Sequence, residues 1–380
     1  MKRNLIFLFI FTHIVNCTAT LYAGDRKKCV HHALGEDIYK HYTGTIGNKK
    51  VVLDLRYGFC GASNYGGSYF YYPDDNETRC LIIYEPKSFD HTTELTAREQ
   101  SINYYWGNHD DVPSASWSFV IKDNHLTGRW TSADKKTTAE IRMTEDYSHA
   151  IRMDVIVYND SAKTEQPGKP MRTAYFDYLG VRPSANFSNA EAYLINKEIL
   201  KLTGTDHQGI VDMEILPSAI AQQRFNDFTR IYGLLPDDTT NQAWNTRNFY
   251  YSSMVFPVYN DKGLLSLELV NASAKPANYV CIDVARNKTL RLADIIKTDN
   301  DKLTALISKE YKNTADAETI KALPAEKIRF PENFMVTGKG IVFCYSSNTS
   351  PAYTSEVRVF LSFAKLGGML TKDFRTRMGI

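Results

Sequence analysis

The first part of the chain alternates short apolar runs with turn residues, and this pattern predicts antiparallel β-structure. Between residues 42 and 142 the runs are separated by Gly-Asn, Pro-Asp-Asp-Asn and Lys-Asp-Asn stretches at the spacing of hairpins. Residues 151–160 add one more strand, after which a Pro-Gly-Lys-Pro stretch interrupts the pattern. We therefore predict a small antiparallel β module that extends over residues 24–165.

The second part of the chain opens with a helical period. A first helix has Ser188 or Asn189 as its N-cap and Gly204 as its stop. The apolar spacing predicts a second helix over 218–232 and a third over 299–313. The positions expected to face the core are Ala192, Ile195, Ile199 and Leu202 in the first helix, Ile220, Phe225, Phe228 and Ile231 in the second, and Leu303, Leu306, Ile307 and Tyr311 in the third.

Strand-like runs follow the second helix and then the third. The stretches NFYYSSMVFPVYN, GLLSLELVNAS and ANYVCIDVARNKTLRL read as three successive strands, with Asp-Lys-Gly at 261–263 as the first turn. Residues 340–345 and 357–363 form a closing hairpin that is expected to complete the same sheet beneath the third helix. This order predicts an α+β domain over 172–372, with a mainly antiparallel sheet packed by helices.

The N-terminus has the charge and hydrophobicity pattern of a signal peptide. Two basic residues, Lys2 and Arg3, precede an apolar run over 5–15 that is too short to cross a bilayer. We predict that residues 1–23 are removed on export, or that Cys17 is lipidated in a loose lipobox. Either outcome places the mature protein in the periplasm or the outer cell envelope. No second run of about 18 apolar residues follows, so no membrane span is expected after cleavage.

Composition gives little reason to expect a polyanionic partner. Among the 380 residues, 45 are Lys or Arg and 43 are Asp or Glu, which leaves a net charge of +2. Binding to nucleic acid or to an acidic membrane surface through bulk charge is therefore not expected. The 24 tyrosines and 19 phenylalanines favour β-surfaces, where flat rings pack across neighbouring strands.

The cysteines leave two interpretations open. Five cysteines follow Cys17, an odd number, and exported thiols can pair. The pairs expected within the predicted sheets are Cys60 with Cys80 and Cys281 with Cys344. The alternative is that Cys281 and Cys344 are buried thiols that pack as small apolar residues.

Several segments of the second half are similar to a known family. In chain order they are INKEI, NDFTRIYG, LLSLELV, RNKTLRLADII, and FMVTGKGIVFCY followed by SEVRVFLSFAKLGGML. Their order and spacing resemble the C-terminal domain of the anti-sigma factor RsiV, a domain that also accompanies a deacetylase module in a peptidoglycan-modifying enzyme. The resemblance covers residues 172–370. It implies an extracytoplasmic binding or sensing domain, and in the anti-sigma factor the exported part recognises lysozyme.

The chain departs from that family at one turn. The family places a Tyr-Gly-Gly-Ala-His type turn between two strands, whereas residues 270–280 read VNASAKPANYV, without the glycines or the histidine. No residue role is therefore carried over from that turn. The deacetylase module with its metal-binding Asp and His motifs is also missing, and only four residues precede the apolar run, so control of a sigma factor is not expected.

No catalytic residue, metal or cofactor is predicted. The sequence has no GxSxG elbow, HExxH helix or phosphate-binding loop. His109, Asp110 and Asp111 are the residue types of a base with its orienter or of a cation site, but polar loops between strands commonly have this composition. We therefore expect binding rather than chemistry from this loop.

Two loops are predicted to bind a partner, because loops between strands commonly carry binding residues and aromatic rings supply contact area at little entropic cost. The candidate binding residues are Tyr104, Tyr105, Trp106, His109 and Asp110 in the first loop, and Asn348 and Tyr353 in the second.

These features favour a non-enzymatic, exported protein of the bacterial cell envelope. We expect it to bind a lysozyme-like protein or a peptidoglycan fragment. The competing class is a cell-wall glycan hydrolase or deacetylase that uses the His109 cluster or paired carboxylates, which leave no linear motif. A structural surface lipoprotein is a third interpretation.

Overall fold

The strands form one closed barrel and two larger open sheets, with helices on the open sheets. This architecture confirms the predicted α+β class and adds the barrel closure, which the local pattern did not indicate. The computed structural model describes residues 38–57, 59–60, 63–64, 67–84, 94–104, 113–164, 172–184, 188–203, 216–234, 249–271, 278–297, 300–315, 320, 323–331, 333–346 and 356–380.

Eight antiparallel strands make the barrel, which confirms the antiparallel character predicted for the first part of the chain. They are β1 (Ile38–Ile46), β2 (Lys49–Tyr57), β5 (Gly67–Tyr71), β6 (Thr78–Ile83), β7 (Leu95–Ser101), β8 (Ser116–Lys122), β9 (His125–Thr131) and β10 (Thr138–Glu145), while β3 (Phe59–Cys60) and β4 (Ser63–Asn64) form a small hairpin beside them. The order around the barrel is β1-β10-β9-β8-β7-β6-β5-β2. Alternate side chains fill the interior, where the rings of Phe70 and Trp117 meet edge to face at 5.1 Å.

A glycine permits the barrel to close where its first and last strands pair. Gly44 on β1 lies opposite Met143 on β10. A Cβ added at Gly44 would lie 2.2 Å from the carbonyl oxygen of Arg142, so any other residue would push the two strands apart. The close approach lets β10 complete the ring of hydrogen-bonded strands.

The second sheet has six strands in the order β11-β12-β13-β14-β15-β16. They are β11 (Met153–Thr164), β12 (Arg172–Pro183), β13 (Phe249–Asp261), β14 (Leu264–Asn271), β15 (Asn278–Asp283) and β16 (Lys288–Thr289). Only the β12–β13 pair is parallel among these described neighbours, because two helices intervene between the strands in the chain. The predicted turn at 261–263 joins β13 to β14, with Lys262 and Gly263 at positive φ.

The first strand of this sheet joins two regions that the sequence pattern assigns to different modules. The run at 151–160 is predicted to belong to the N-terminal module, and β11 pairs antiparallel with β12 along its whole length. Cross-strand pairing over twelve residues therefore connects these two regions. The predicted boundary, with its Pro-Gly-Lys-Pro stretch, lies outside the described residues, and the domain division stays a prediction.

Two helices cover one face of the six-stranded sheet. They are α1 (Asn189–Leu202) and α2 (Leu216–Leu234), close to the predicted bounds. The Ser188 side chain accepts from the backbone N–H of Glu191, which confirms Ser188 as the N-cap. The inward residues Ile195, Ile199 and Phe228 are fully buried.

The closing hairpin forms a sheet of its own. Strands β17 (Asn333–Val336), β18 (Gly340–Ser346) and β19 (Glu356–Ser362) pair in that order, so the expectation that the hairpin completes the larger sheet is wrong. The third predicted helix is confirmed as α4 (Asn300–Thr314), which packs on β19. The remaining helices are α3 (Leu292–Ile295), α5 (Phe363–Leu366) and α6 (Lys372–Met378). Of the helices in the described ranges, none is both long enough and apolar enough to cross a membrane.

A buried asparagine links the barrel to the six-stranded sheet. The Nδ2 of Asn260 on β13 donates to the Tyr39 hydroxyl at 2.8 Å and to the Ile151 carbonyl at 2.7 Å, and its Oδ1 accepts from the Ile151 N–H at 2.9 Å. Tyr39 in turn donates to Asp54, which also contacts His41 Nδ1 at 2.9 Å. Burial lowers the pKa of His41, but the Asp54 carboxylate outweighs it and the net shift is upward.

Replacement of Asn260 by alanine tests this link. The variant leaves buried groups of Ile151 and Tyr39 without their partner, so we expect a loss of about 3 kcal/mol in the free energy of unfolding, measured by urea denaturation. Asn226→Ala on the exposed face of α2 is the matched control and should change stability little. Equal stability of the two variants would show that Asn260 does not hold the interface.

Candidate functional site

A cleft of about 710 Å³ lies where the barrel meets the C-terminal sheet. The barrel contributes the start of β6, the end of β7 and the turn that follows β7, and the other wall consists of α4, β19 and α5. The lining residues are Asn76, Glu77, Thr78, Arg79, Arg98, Glu99, Gln100, Ser101, Ile102, Asn103, Pro113, Ser114, Ala115, Ala133, Glu310, Thr314, Phe360, Ser362 and Lys365.

Charges at the cleft face opposite charges at short distance. On the barrel side the Arg79 guanidinium lies 3.1 Å from Asp75 and 3.4 Å from Glu99. On the opposite wall Lys365 Nζ lies 2.7 Å from both carboxylate oxygens of Glu310. These pairs cancel one another, so the cleft does not offer a strong field to a highly charged ligand.

Glu99 is turned toward the barrel and held by indoles. Its Oε1 accepts from the Nε1–H of Trp117 at 2.8 Å and from that of Trp130 at 2.7 Å. The side chain is only 9% exposed. A carboxylate fixed by two donors and a nearby guanidinium is an anchor for the barrel end and is poorly placed to move a proton in the cleft.

Neutral hydrogen-bonding groups remain on the cleft surface. Gln100 lies half-buried on β7 and Asn76 is exposed at the rim, whereas the Ser114 Oγ is buried beneath the surface, without a hydrogen-bond partner among the described residues. The Asn103 Oδ1 accepts from the Phe360 N–H at 2.9 Å, which holds the two walls together. The cleft can therefore donate to and accept from a ligand without exposing an uncompensated charge.

The floor of the cleft is apolar. Ile102 and Phe360 line it and pack on a small cluster that includes Cys80, Val342 and Cys344. An apolar floor with polar walls is the common composition of a small-molecule site, since the floor supplies binding free energy and the walls supply orientation.

A buried ionic network lies behind this floor. The Glu268 carboxylate on β14 contacts Arg56 of the barrel and Arg358 of β19, each at 2.6 Å. The Arg358 Nη1 also donates to the Tyr69 hydroxyl at 3.1 Å, and the Tyr279 hydroxyl donates to Glu268 Oε1 at 3.0 Å. Burial acts to raise the pKa of Glu268, but the two guanidinium groups outweigh it and the net shift is downward.

The predicted binding residues fall largely outside the described ranges. Of the first loop, Tyr104 ends the short helix Ile102–Tyr104 and its side chain is not described, and Tyr105, Trp106, His109 and Asp110 lie outside the described residues. The described flanks of that loop, Asn103 and Pro113, both line the cleft.

The second predicted loop, with Asn348 and Tyr353, and the lipidation candidate Cys17 also lie outside the described residues. Across the described part of the chain, no three His, Cys, Asp or Glu side chains come together as a metal-binding group.

The cysteines do not form the second expected pair. Cys281 Sγ lies 3.3 Å from Ser266 Oγ, in the core beneath α4, whereas Cys344 packs in the cluster under the cleft. The two residues are separate buried thiols, because neighbouring sheets place them in different clusters. Cys80 is likewise a buried thiol, and burial raises its pKa to about 12, while the side chain of Cys60 lies outside the described residues.

Several cleft residues are not among those predicted from the sequence. They include the end of the stretch Leu95–Ser101, which has the alternation of a strand, with Leu95, Ala97 and Glu99 facing inward. A glutamate at an inward position of such a strand is the signal that could have indicated these residues. A buried carboxylate needs hydrogen-bonding or charged partners, and the fold must bring those partners to it.

No protein-family model matches the sequence, and no curated protein matches it. Among solved structures, 61% of this chain overlays 99% of a DUF3298 family protein from Bacteroides fragilis NCTC 9343, with 18% identity and a TM-score of 0.44. A DUF3298 family protein from Pseudomonas aeruginosa PAO1 overlays 59% of this chain over 96% of its own, with 15% identity and a TM-score of 0.36. Both are domains of unknown function, and the RsiV-type resemblance stays a prediction.

Replacement of Glu268 by glutamine tests the network behind the cleft. The change keeps the shape but leaves two buried guanidinium groups without a counter-charge, so we expect a loss of about 3–5 kcal/mol in the free energy of unfolding. Thermal and urea unfolding measure it. Glu326→Gln is the control, because the Glu326 side chain is 77% exposed, and a Glu268→Gln variant as stable as that control would contradict the assignment.

The same variant should also change how the stability of the protein depends on pH. Because the pKa of Glu268 is lower in the folded state than in the unfolded state, its stabilisation is present above the unfolded value of about 4.3 and is lost as the pH falls through the folded value. Wild-type stability should therefore fall more steeply than that of Glu268→Gln as the pH drops below about 4.3, measured by urea midpoints between pH 6 and about 3. Parallel curves for the two proteins would refute this.

Proposed function

We propose that the chain is an exported binding protein of the bacterial cell envelope that takes a neutral saccharide, a fragment of cell-wall glycan, in the cleft. The observation that carries the proposal is the composition of the cleft: paired charges and neutral hydrogen-bonding groups around an apolar floor. Export rests on the N-terminal signal pattern, with Lys2 and Arg3 ahead of a short apolar run.

A neutral, hydroxyl-rich ligand matches this surface better than an ion does. Two of the cations, Arg79 and Lys365, already face carboxylates, so an anion that approached them would have to displace an existing partner. Hydroxyl and acetamido groups instead need the donors and acceptors that Gln100 and the rim amide Asn76 provide. The C–H faces of a sugar ring fit the floor of Ile102 and Phe360.

A binding role is favoured over hydrolysis by the state of the carboxylates. Glycoside hydrolysis needs one carboxyl group to protonate the leaving oxygen and a second to act on the opposite face of the sugar. In the cleft Glu99 is held by two indoles and Glu310 by Lys365, so neither is poised for that exchange. The third lining carboxylate, Glu77, lies 3.6 Å from the Arg79 guanidinium at the rim. If the saccharides are cleaved or deacetylated in the experiment below, the protein is a glycan-active enzyme.

Calorimetric titration tests the proposal directly. We expect the neutral oligomer chitotetraose to give binding heat with the wild type, and muramidase-released peptidoglycan fragments, whose peptide stems carry carboxylates, to bind more weakly. Gln100→Ala removes a cleft hydrogen bond and should weaken binding about tenfold, which corresponds to about 1.4 kcal/mol. Gln223→Ala, an exposed glutamine on α2, is the matched control and should bind as the wild type.

Titration with lysozyme tests the alternative that the ligand is a protein and not a saccharide. Heat with lysozyme and none with the saccharides would overturn the glycan proposal in favour of a protein ligand. Release of reducing ends or acetate from the saccharides would move the protein to the enzyme class. No heat with any of the three ligands would leave the proposed function without support.

A further inference from the structure

A second surface feature lies on the six-stranded sheet, away from the cleft. Tyr175 on β12 and Tyr250 on β13 are direct neighbours in the parallel pair. Their rings stack with an interplanar angle of 12° and a centroid separation of 5.1 Å. Tyr250 is 60% exposed, the largest exposure among the large hydrophobic side chains of the described residues. Exposed rings held in one orientation are a feature of binding surfaces.

Cross-strand register shows which side chains share this face. Residues opposite one another on neighbouring strands point to the same side of a sheet. Asp177 lies opposite Asn159 on β11 and Ser252 on β13, and Tyr175 lies opposite Ser161. These polar side chains therefore surround the tyrosine pair.

The two helices lie on the other face. Ala174 and Phe249 are direct neighbours one position before the tyrosines, and Phe249 packs against Phe228 of α2 with ring centroids 5.4 Å apart. Phe176 is fully buried on that same side. The tyrosine face is thus the side that α1 and α2 leave uncovered.

An acid and an amide are held beside the rings. With its amide oriented to donate, Asn159 lies with its nitrogen 2.6 Å from Asp177 Oδ1. Asp177 is half-buried, and burial raises the pKa of its carboxyl group. A carboxylate fixed by an amide, next to an aromatic face, can accept hydroxyl protons while the ring packs against a C–H face. That combination is complementary to pyranose rings.

We infer that this surface, the tyrosine platform of Tyr175, Tyr250, Asp177, Asn159 and Ser252, binds a polysaccharide chain. Its occupant is a polymer because the exposed ring of Tyr250 and the half-buried ring of Tyr175 stand on a surface that α1 and α2 do not cover, which suits an extended chain, whereas the cleft suits a short fragment. Among the described residues that neighbour the tyrosine pair on this face, the charged side chains are Asp177 and Lys163, one of each sign, so the platform suits a neutral chain. The inference does not depend on what the cleft binds.

Sedimentation with insoluble polysaccharides tests the platform. We expect the full chain to co-sediment with at least one of peptidoglycan sacculi, chitin and cellulose. Tyr250→Ala should weaken that binding about tenfold, since it removes the exposed ring. Asp177→Asn should weaken it by a smaller factor. Tyr193→Ala is the matched control, because Tyr193 on α1 is 48% exposed and stacks on no tyrosine within the described ranges, and it should bind as the wild type.

Several outcomes would overturn the inference. They are wild-type binding to none of the three polymers, unchanged binding by a Tyr250→Ala protein with native circular dichroism, and equal losses in Tyr250→Ala and Tyr193→Ala. A dimer that Tyr250→Ala dissociates, seen by light scattering, would instead assign the face to self-association and overturn it too. Titration of Tyr250→Ala with chitotetraose separates the two proposals, because the cleft should respond as in the wild type.

Discussion

The Glu268 carboxylate joins the three large β-layers of the protein, because each of the three charged residues in its network comes from a different one. Glu268 belongs to the six-stranded sheet, Arg56 to the barrel and Arg358 to the C-terminal sheet. One acid between two bases leaves a net positive charge in a buried site, and the hydroxyls of Tyr69 and Tyr279 offset part of its desolvation. Such a network adds little stability over apolar packing, but a shift of one sheet would leave a buried charge without its partner, which costs free energy. The network therefore favours one relative placement of the three β-layers.

The cleft takes its shape from that placement. Along β19 side chains alternate, so Arg358, Phe360 and Ser362 share one face. When Arg358 is held by Glu268, Phe360 is positioned as the cleft floor, and its backbone N–H reaches Asn103 on the barrel side. The two walls are thus set by one buried network and one hydrogen bond, although they are distant in sequence.

The elements that the sequence predicts correctly are those whose signals lie within one short stretch of the chain. Helix α1 begins directly after its N-cap Ser188, because a serine side chain can accept from a backbone N–H two or three residues on. Its apolar face follows a period that is visible within a short stretch of sequence. Barrel closure has no such signal, because β1 and β10 pair across about one hundred residues. The same applies to β11, whose partner strand lies beyond a stretch that resembles a domain linker.

The site was harder to predict than the fold because its residues come from separate elements and are polar where alternation predicts exposure. In LLSLELV the leucines predict the core and Ser266 and Glu268 predict the surface, yet β14 is buried on both faces because the barrel side is covered as well. Burial of the second face depends on tertiary packing, which the sequence of a single strand does not indicate. A glutamate in the middle of an apolar strand is the one trace that it leaves.

The tyrosine platform shares a strand with that buried network. Tyr250 precedes Phe256, the neighbour of Glu268 on β13, by six residues, about 20 Å along an extended strand. One end of the strand is thereby clamped to the barrel while the other presents rings to solvent. Because the clamp orders the strand before any ligand arrives, a chain that stacks on the rings loses little free energy to ordering the protein. The same buried charges that place the cleft therefore also hold the platform rigid.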